Sequence, residues 1–522
     1  MPFVSLAVFG LFLVCQAGLM AVGGHRLALL WRCRRGAGPR GRRPGRPAAP
    51  GLLPAQPSGA GFGPPEPPAV TVQLPLHNER YVVRRLIQAV AALDYPRERL
   101  EIQVLDDSTD DTTAAAEACA AQLRARGHRV EVLHRAGRAG FKAGALAAGL
   151  ARARGELLAV FDADFVPPAD FLRRVLPHFS DPRVGMVQAR WGHLNEPYSL
   201  LTRVQAAFLD SHFLVEHRAR SRAGLFFNFN GTAGVWRRAA VVDAGGWRPD
   251  TLTEDLDLSY RAQLRGWRFV YLEDLVVPAE LPVEMNAFKS QQYRWARGSL
   301  QTARRLLPAV LRARLPLRVR LEACFHLAGN LAYPLALLPA VLMLPLMRLP
   351  GRHLGPPAAP AAAVFALTTA AFVAFFAAAL GARGARGWRR WAGLPAMLIA
   401  GIGLSLNNTR AALAGLAGPA GPRVEFRRTP KFRVEGREGG QLGRRYRAAA
   451  DPWALLELAL AGYFAASAGE AVRLGRYEAV PFLLLFTLGF GYVGGGSLLE
   501  QLRLPGRPGE VGRRLPSPAP QA

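Results

Sequence analysis

Six long apolar runs divide the chain into membrane-like and water-facing parts. They cover residues 3–24, 321–349, 357–382, 391–415, 452–472 and 477–499. Each is near or above the ~20 residues that a helix needs to cross a bilayer. Between 69 and 300 the pattern changes to that of an α/β domain. TVQLPLHNE (71–79) reads as a strand and loop, and VVRRLIQAVAAL (82–93) has the apolar spacing of a helix. EIQVLDD (101–107) is a second strand, a helix spans about 112–126, and RVEVLHR (129–135) is a third strand. Another helix (142–153) leads into LLAVFDADFVPP (157–168). Alternating strands and helices predict a parallel sheet with ligands at the carboxyl ends of its strands.

The pattern predicts a transmembrane anchor over 1–24, a basic Pro/Gly-rich linker over 25–68 and an α/β domain over 69–302. An interfacial basic helix (303–320), a transmembrane bundle (321–500) with a loop at 416–450, and a disordered tail (501–522) follow. The first run has no basic segment before it and no clean small-residue cleavage site after it, so an uncleaved anchor is expected. HRLALLWRCRRGAGPRGRRPGR then carries eight arginines and no acid, which places it, and the α/β domain, on the cytoplasmic face of the plasma (inner) membrane. Residues 423–447 hold nine basic and three acidic residues and are expected on the same side. Three full spans between 321 and 415 would put them outside. The run 391–415, with Asn407, Asn408 and Arg410 near one end, is therefore expected to re-enter or lie at the interface.

Charge and cysteines narrow the class. The net charge is +28, but the arginines cluster at 26–46, 304–320 and 423–447, beside apolar runs. Basic residues there are drawn to anionic headgroups at about 1 kcal/mol each, so the lipid bilayer, and not nucleic acid, is the expected partner. Cys15, Cys33, Cys119 and Cys324 show neither metal spacing nor pairing.

Acids at strand ends carry the candidate chemistry. Asp162 and Asp164 flank one alanine at the end of an apolar run, and Asp106 and Asp107 end another. Two carboxylates at i and i+2 of a strand share a face and repel unless a cation or proton lies between them. Alone, such a pair also fits solvated turn acids. Thr253, Glu254 and Asp255 open an amphipathic helix, where capping is the plainer explanation. Gln291, Arg294 and Trp295 share one helical face, suited to a phosphate and a sugar ring or to an ordinary membrane-surface helix. Asn230, Gly231 and Thr232 sit in an aromatic, small-residue loop whose plain reading is a turn. The chain has only three lysines, Lys142, Lys289 and Lys431, all in segments with other signals.

In this order the motifs VLDDSTDDT, RAGFKAGAL, FDADF, FNFNGTAGVWR, AGGW, TEDLDLSYRAQLRGW and QQYRWARGSLQ resemble family 2 glycosyltransferases of the membrane-embedded, cellulose-synthase-like kind. The likeness is to the cellulose-synthase-like A and C glucomannan and glucan synthases and their bacterial relatives. It is dense over 69–302 and continues to FRRTPKF (426–432), similar to the loop that closes over donor in cellulose synthases. It implies a GT-A (Rossmann-like) α/β cytosolic domain with an α-helical transmembrane bundle. It implies donor contacts from Asn78, Glu79, Asp106, Asp107, Lys142, Asp162, Gln291, Arg294 and Lys431. Asp162 and Asp164 would hold Mg²⁺ or Mn²⁺ on the donor diphosphate. Asp255 would be the general base beside Glu254, with Arg294 stabilising the leaving group, and Trp295, Asn230, Gly231 and Thr232 would contact the acceptor. Leu76 and His77 depart from the Thr and Tyr of cellulose synthases, and no second-messenger-binding domain is expected.

The activity implied is inverting transfer of a hexose from UDP-glucose or GDP-mannose onto a growing β-glycan that is extruded across the membrane. The alternative is transfer of one sugar to a membrane lipid, as in ceramide- or diacylglycerol-glucosyltransferases. A non-catalytic nucleotide-binding membrane protein is disfavoured by the complete acid set.

Overall fold

The computed structural model describes residues 2–35, 67–348, 355–384, 387–418, 428–437 and 449–502. Most of the expected linker (36–66) and the tail beyond Leu502 lie outside them. Seven strands form one sheet: β1 (Val70–Leu76), β2 (Leu100–Asp106), β3 (Arg129–His134), β4 (Leu157–Val160), β5 (Val184–His193), β6 (Gly234–Arg237) and β7 (Arg268–Ala279). Their order is β3-β2-β1-β4-β6-β5-β7.

The expected parallel arrangement holds for β3, β2, β1 and β4, as it does for β5 with β7. It fails at β6, which is antiparallel to both neighbours. The cause is local: Gly234 opens β6 directly opposite Val160, where β4 ends, so the chain can only run back along β4. Alternate residues of each strand feed opposite faces. Val104 joins the layer made with Leu86 and Ile87, while Leu105 joins Leu146 and Trp236 on the other face. Fully burying a Val, Leu or Ile side chain contributes about 1.5–3 kcal/mol. Covering both faces forces function to the strand ends.

The helix Met285–Arg312 ties this domain to the apolar helices. Its first free amides, on Met285 and Asn286, donate to the Glu500 carboxylate from the carboxy-terminal helix Val480–Leu502. One turn later Lys289, 1 % exposed, pairs with Glu457 at 2.7 Å and Asp451 at 2.6 Å. Asn407 donates to the Lys289 carbonyl at 3.0 Å. Lys289, picked out in the sequence with the other two lysines, is thus a structural cation.

Among the described residues four helical stretches are long and apolar enough to span a membrane: 7–34, 317–348, 454–473 and 477–502. Shorter apolar helices cover Ala366–Ala382 and Leu394–Gly403. The amino-terminal helix runs to Arg35, past the expected boundary at 24. The basic stretch 303–320 is no helix of its own: it closes Met285–Arg312, turns, and opens Leu317–Ala328. The run 391–415 is broken at Leu404 into Leu394–Gly403 and Ser405–Ala417, each too short to cross.

Removing one member of a buried ion pair leaves an uncompensated charge and costs about 3–5 kcal/mol. Lys289→Met should therefore lower the thermal midpoint of the detergent-solubilised protein, and adding Glu457→Met should recover part of the loss. Scanning fluorimetry of the three proteins checks this; a double variant less stable than the single one contradicts it.

Candidate active site

At the carboxyl ends of β1 and β4 one cavity gathers residues from many separate stretches of chain, between Pro75 and Lys431. Its floor holds Glu79, Asp107, Asp162 and Asp164, one wall Asn230 and Gly231, another Glu254 and Asp255. Gln291, Arg294 and Trp295 enter together from one helical face, and Lys142 and Lys431 close the ring.

Asp106 and Asp107 part company. Strand β2 ends at Asp106, and of the two only Asp107 lines the cavity, where Arg135 holds it through two bonds of 2.7 and 2.6 Å. Asp106 is fully buried and accepts from the Ser108 amide, the Thr113 hydroxyl and His134. Burial works against its charge, but those bonds outweigh it and hold the carboxyl below its ordinary range. It fixes the loop and is not among the residues that line the cavity. Asn78 acts likewise: at φ +56° it braces the loop 108–109, its backbone amide donating to the Ser108 hydroxyl and its side-chain Oδ1 accepting from the Thr109 amide. Thr232 is buried and receives the Asp162 amide at 2.8 Å, so it orients that aspartate and does not line the cavity.

Strand β4 ends at Val160, so Asp162 and Asp164 lie on the turn beyond it, and strand periodicity is not what brings them together. Each meets a lysine ammonium: Lys142 to Asp162 at 2.5 Å and Lys431 to Asp164 at 2.7 Å. Burial opposes the charge on Lys142, but Asp162, Glu254 and Asp255 outweigh it and raise its pKa. Residues 428–431 lie across the crevice, with Arg428 on Glu79 at 3.2 Å and Thr429 on Arg294 at 3.2 Å. Burial pushes Glu79 up to about 8 against the pull of Arg428.

The helix opened by Glu254 receives no side-chain cap from Thr253, whose hydroxyl faces Thr302 instead. Capping therefore does not account for this cluster. Glu254 is buried, and burial together with the Glu254 charge pushes Asp255 up to about 7. A Cβ on Gly231, at φ +83°, would come within 3.0 Å of Asp255 Oδ2, so only glycine leaves room there. Arg294, lowered to about 10 by burial, remains a cation at neutral pH.

Residues not anticipated also line the cavity: Arg138, Trp191, His193, Glu280, Arg428 and Thr429. Glu280 follows β7 directly, so an acid after an apolar strand was again the available signal. It binds the Phe432 amide at 2.8 Å, and its carbonyl accepts from Lys431.

The chain matches known proteins over this part. Residues 67–298 fit the family model described as "Glycosyltransferase like family 2". Glucomannan 4-beta-mannosyltransferase 2 of Arabidopsis thaliana is 46% identical over 250 residues, 47% of this chain and 47% of that protein. Glucomannan 4-beta-mannosyltransferase 1 of Oryza sativa subsp. japonica is 41% identical over 303 residues, 54% of this chain and 57% of that protein. The chain thus spans about half the length of these curated relatives. In fold it is similar to the mannosyltransferase PcManGT from Pyrobaculum calidifontis, solved with GDP-Man and Mn²⁺. The TM-score is 0.50 at 20% identity, covering 78% of this chain and 99% of that one. Sheet, site and matches agree: residues 67–298 are a glycosyltransferase family 2 domain of the GT-A fold, carried on a chain with several apolar helices.

Proposed function

We propose that the protein is an inverting hexosyltransferase that moves mannose from GDP-mannose onto a β-glycan at a membrane surface. One observation carries the reading. A single cavity joins a carboxylate poised near neutrality, Asp255, to the Asp162–Asp164 pair and to the Gln291–Arg294–Trp295 face. The names of the relatives favour mannose over glucose.

Asp255 accepts the proton of an acceptor hydroxyl as its oxygen attacks the anomeric carbon, and the nucleoside diphosphate leaves from the opposite face. One displacement inverts the centre, so an α-linked donor gives a β-linkage. Arg294 supplies fixed positive charge where the leaving group gains negative charge. Trp295 offers a sugar-sized apolar face beside it. Asp162 and Asp164 suit a hard divalent cation: both offer only oxygens, and each already carries a cationic partner. No third His, Cys, Asp or Glu ligand joins them among the described residues. Such a pair fits Mg²⁺ or Mn²⁺, which takes one or two carboxylates and completes its shell with substrate phosphates. When bound, the ion neutralises the diphosphate.

The basic residues beside the apolar runs favour a cytoplasmic catalytic domain. The helix bearing Trp295 runs from the cavity to the apolar helices, which favours a growing chain that leaves through them over a single sugar placed on lipid.

Asp255→Asn should lower transfer about 10²–10⁴-fold while donor affinity stays within a few-fold; radiolabel transfer and equilibrium binding separate the two. Since the base must be ionised, kcat/KM should fall as pH drops through about 7, where burial and Glu254 have placed Asp255. A profile flat from pH 6 to 8 contradicts the assignment. EDTA should abolish transfer, and Mg²⁺ or Mn²⁺ restore it. Purified protein in lipid vesicles, given labelled GDP-mannose or UDP-glucose, should yield long mannanase-sensitive chains from the first. Monoglycosylated lipid as the sole product overturns the polymer reading, and cellulase-sensitive chains from UDP-glucose overturn the choice of sugar.

A further inference from the structure

We propose that His212 is a positioning residue that fixes the side-chain amide of Asn230 so that its oxygen accepts a hydrogen bond from the acceptor sugar. The proposal deepens the reading of Asp255 as the base, because Asn230 immediately precedes Gly231, the residue packed against that carboxylate.

The argument is one of hydrogen-bond polarity. Asn230 lines the cavity, and its backbone amide is fixed on Gln188 Oε1 at 3.0 Å. Its side-chain Nδ2 lies 2.9 Å from His212 Nε2. An amide NH₂ only donates, so His212 Nε2 must be the unprotonated acceptor and its proton must sit on Nδ1. That proton faces Glu216 Oε2 at 3.4 Å. A carboxylate only accepts, so Glu216 selects this tautomer, the tautomer selects the orientation of the amide, and Asn230 Oδ1 is turned away from the imidazole. Oδ1 is buried and has no protein partner. It is an unused acceptor on a residue that lines the cavity and directly precedes Gly231, which packs against Asp255.

The selecting carboxylate is itself held. Glu216 pairs with Arg26 of the amino-terminal helix and with Arg220 at 3.2 Å. Arg220 reaches Glu322 at 3.0 Å, and Arg32 reaches the same carboxylate at 3.2 Å. His212 opens the π-helical turn His212–His217, an arrangement often found at functional sites. Burial, with Arg220 and Arg26 nearby, lowers the His212 pKa to about 3, so the ring stays neutral at working pH and keeps one acceptor nitrogen.

The test measures binding of β-1,4-linked mannohexaose to the purified full-length protein, alongside KM for mannohexaose and for GDP-mannose. Losing one net neutral hydrogen bond corresponds to about tenfold in affinity. His212→Phe should weaken mannohexaose binding and raise its KM about tenfold, with KM for GDP-mannose moved less than twofold. Asn230→Ala should match that loss, and the double variant should lose no more than Asn230→Ala alone. His212→Gln, whose amide oxygen can replace Nε2 and whose NH₂ can face Glu216, should return binding to within about threefold. Additive losses, an equal rise in donor KM, or a wild-type protein that binds no mannohexaose overturns the proposal. A wild-type protein that binds mannohexaose with this coupling but transfers no sugar overturns the enzymatic reading and leaves the positioning role standing.

Discussion

Carboxylates crowd the open end of the sheet, and everything around the cavity answers to their repulsion. Glu79, Asp107, Asp162, Asp164, Glu254, Asp255 and Glu280 line one space. Like charges that close, in a medium of low effective dielectric, cannot all stay ionised without compensation. The cations come from distant parts of the chain: Arg135 after β3, Lys142 in the next helix, Arg294 on Met285–Arg312, and Arg428 and Lys431 from residues 428–437. Residues 428–437 thus supply part of the positive charge that the site's acids need. At Asp255 burial and the Glu254 charge raise the proton affinity toward neutrality.

The same constraint explains why Met285–Arg312 is anchored so firmly. Arg294 is buried, and a buried guanidinium helps only if it stays put. The helix start is held by the Glu500 carboxylate, the next turn by Lys289 against Glu457 and Asp451. Further along, a Cβ on Gly298 would lie 2.9 Å from the Thr253 amide, so the helix passes in contact with the segment that presents Glu254 and Asp255. Asp255 and Arg294 are therefore set relative to each other by one backbone approach, and both are set relative to the apolar helices by the capped end of the same helix.

Much of this was legible in the sequence, and the rest follows physical lines. Strands β1 to β4 and their acids were readable because both faces are buried and the apolar runs are short and bounded. Asp107, Asp162, Asp164 and Asp255 could be picked because an acid at the end of an apolar element needs a reason. The reversal at β6 was not readable, since four residues give no direction and only pairing with Val160 fixes it. That Asp106 turns inward while Asp107 lines the cavity is something two adjacent acids in sequence do not reveal. Trp191, His193 and Glu280 lie at the ends of β5 and β7, which mix apolar with charged residues and so show no clean alternation. His212 and Glu216 lie in a stretch without a motif; only the fold shows that a π-helical turn brings His212 to Asn230 and Glu216 to His212.

The chain's use of lysine separates fixed charge from exchangeable charge. Where a carboxylate at the site is held permanently, an arginine does it: Arg135 grips Asp107 with two parallel bonds, a geometry that fixes both partners. At Asp162 and Asp164 the partners are single ammonium groups, compact point charges on flexible stems that bind without a preferred plane. A fork of two bonds must break both to release its carboxylate, whereas a point charge can slide to a neighbouring anion. On the proposed reading, lysines at these two positions compensate the carboxylates and would be the groups suited to move onto a diphosphate if a divalent ion took their place. In a chain that otherwise uses arginine almost throughout, that exchange gives a physical reason for lysine at both positions.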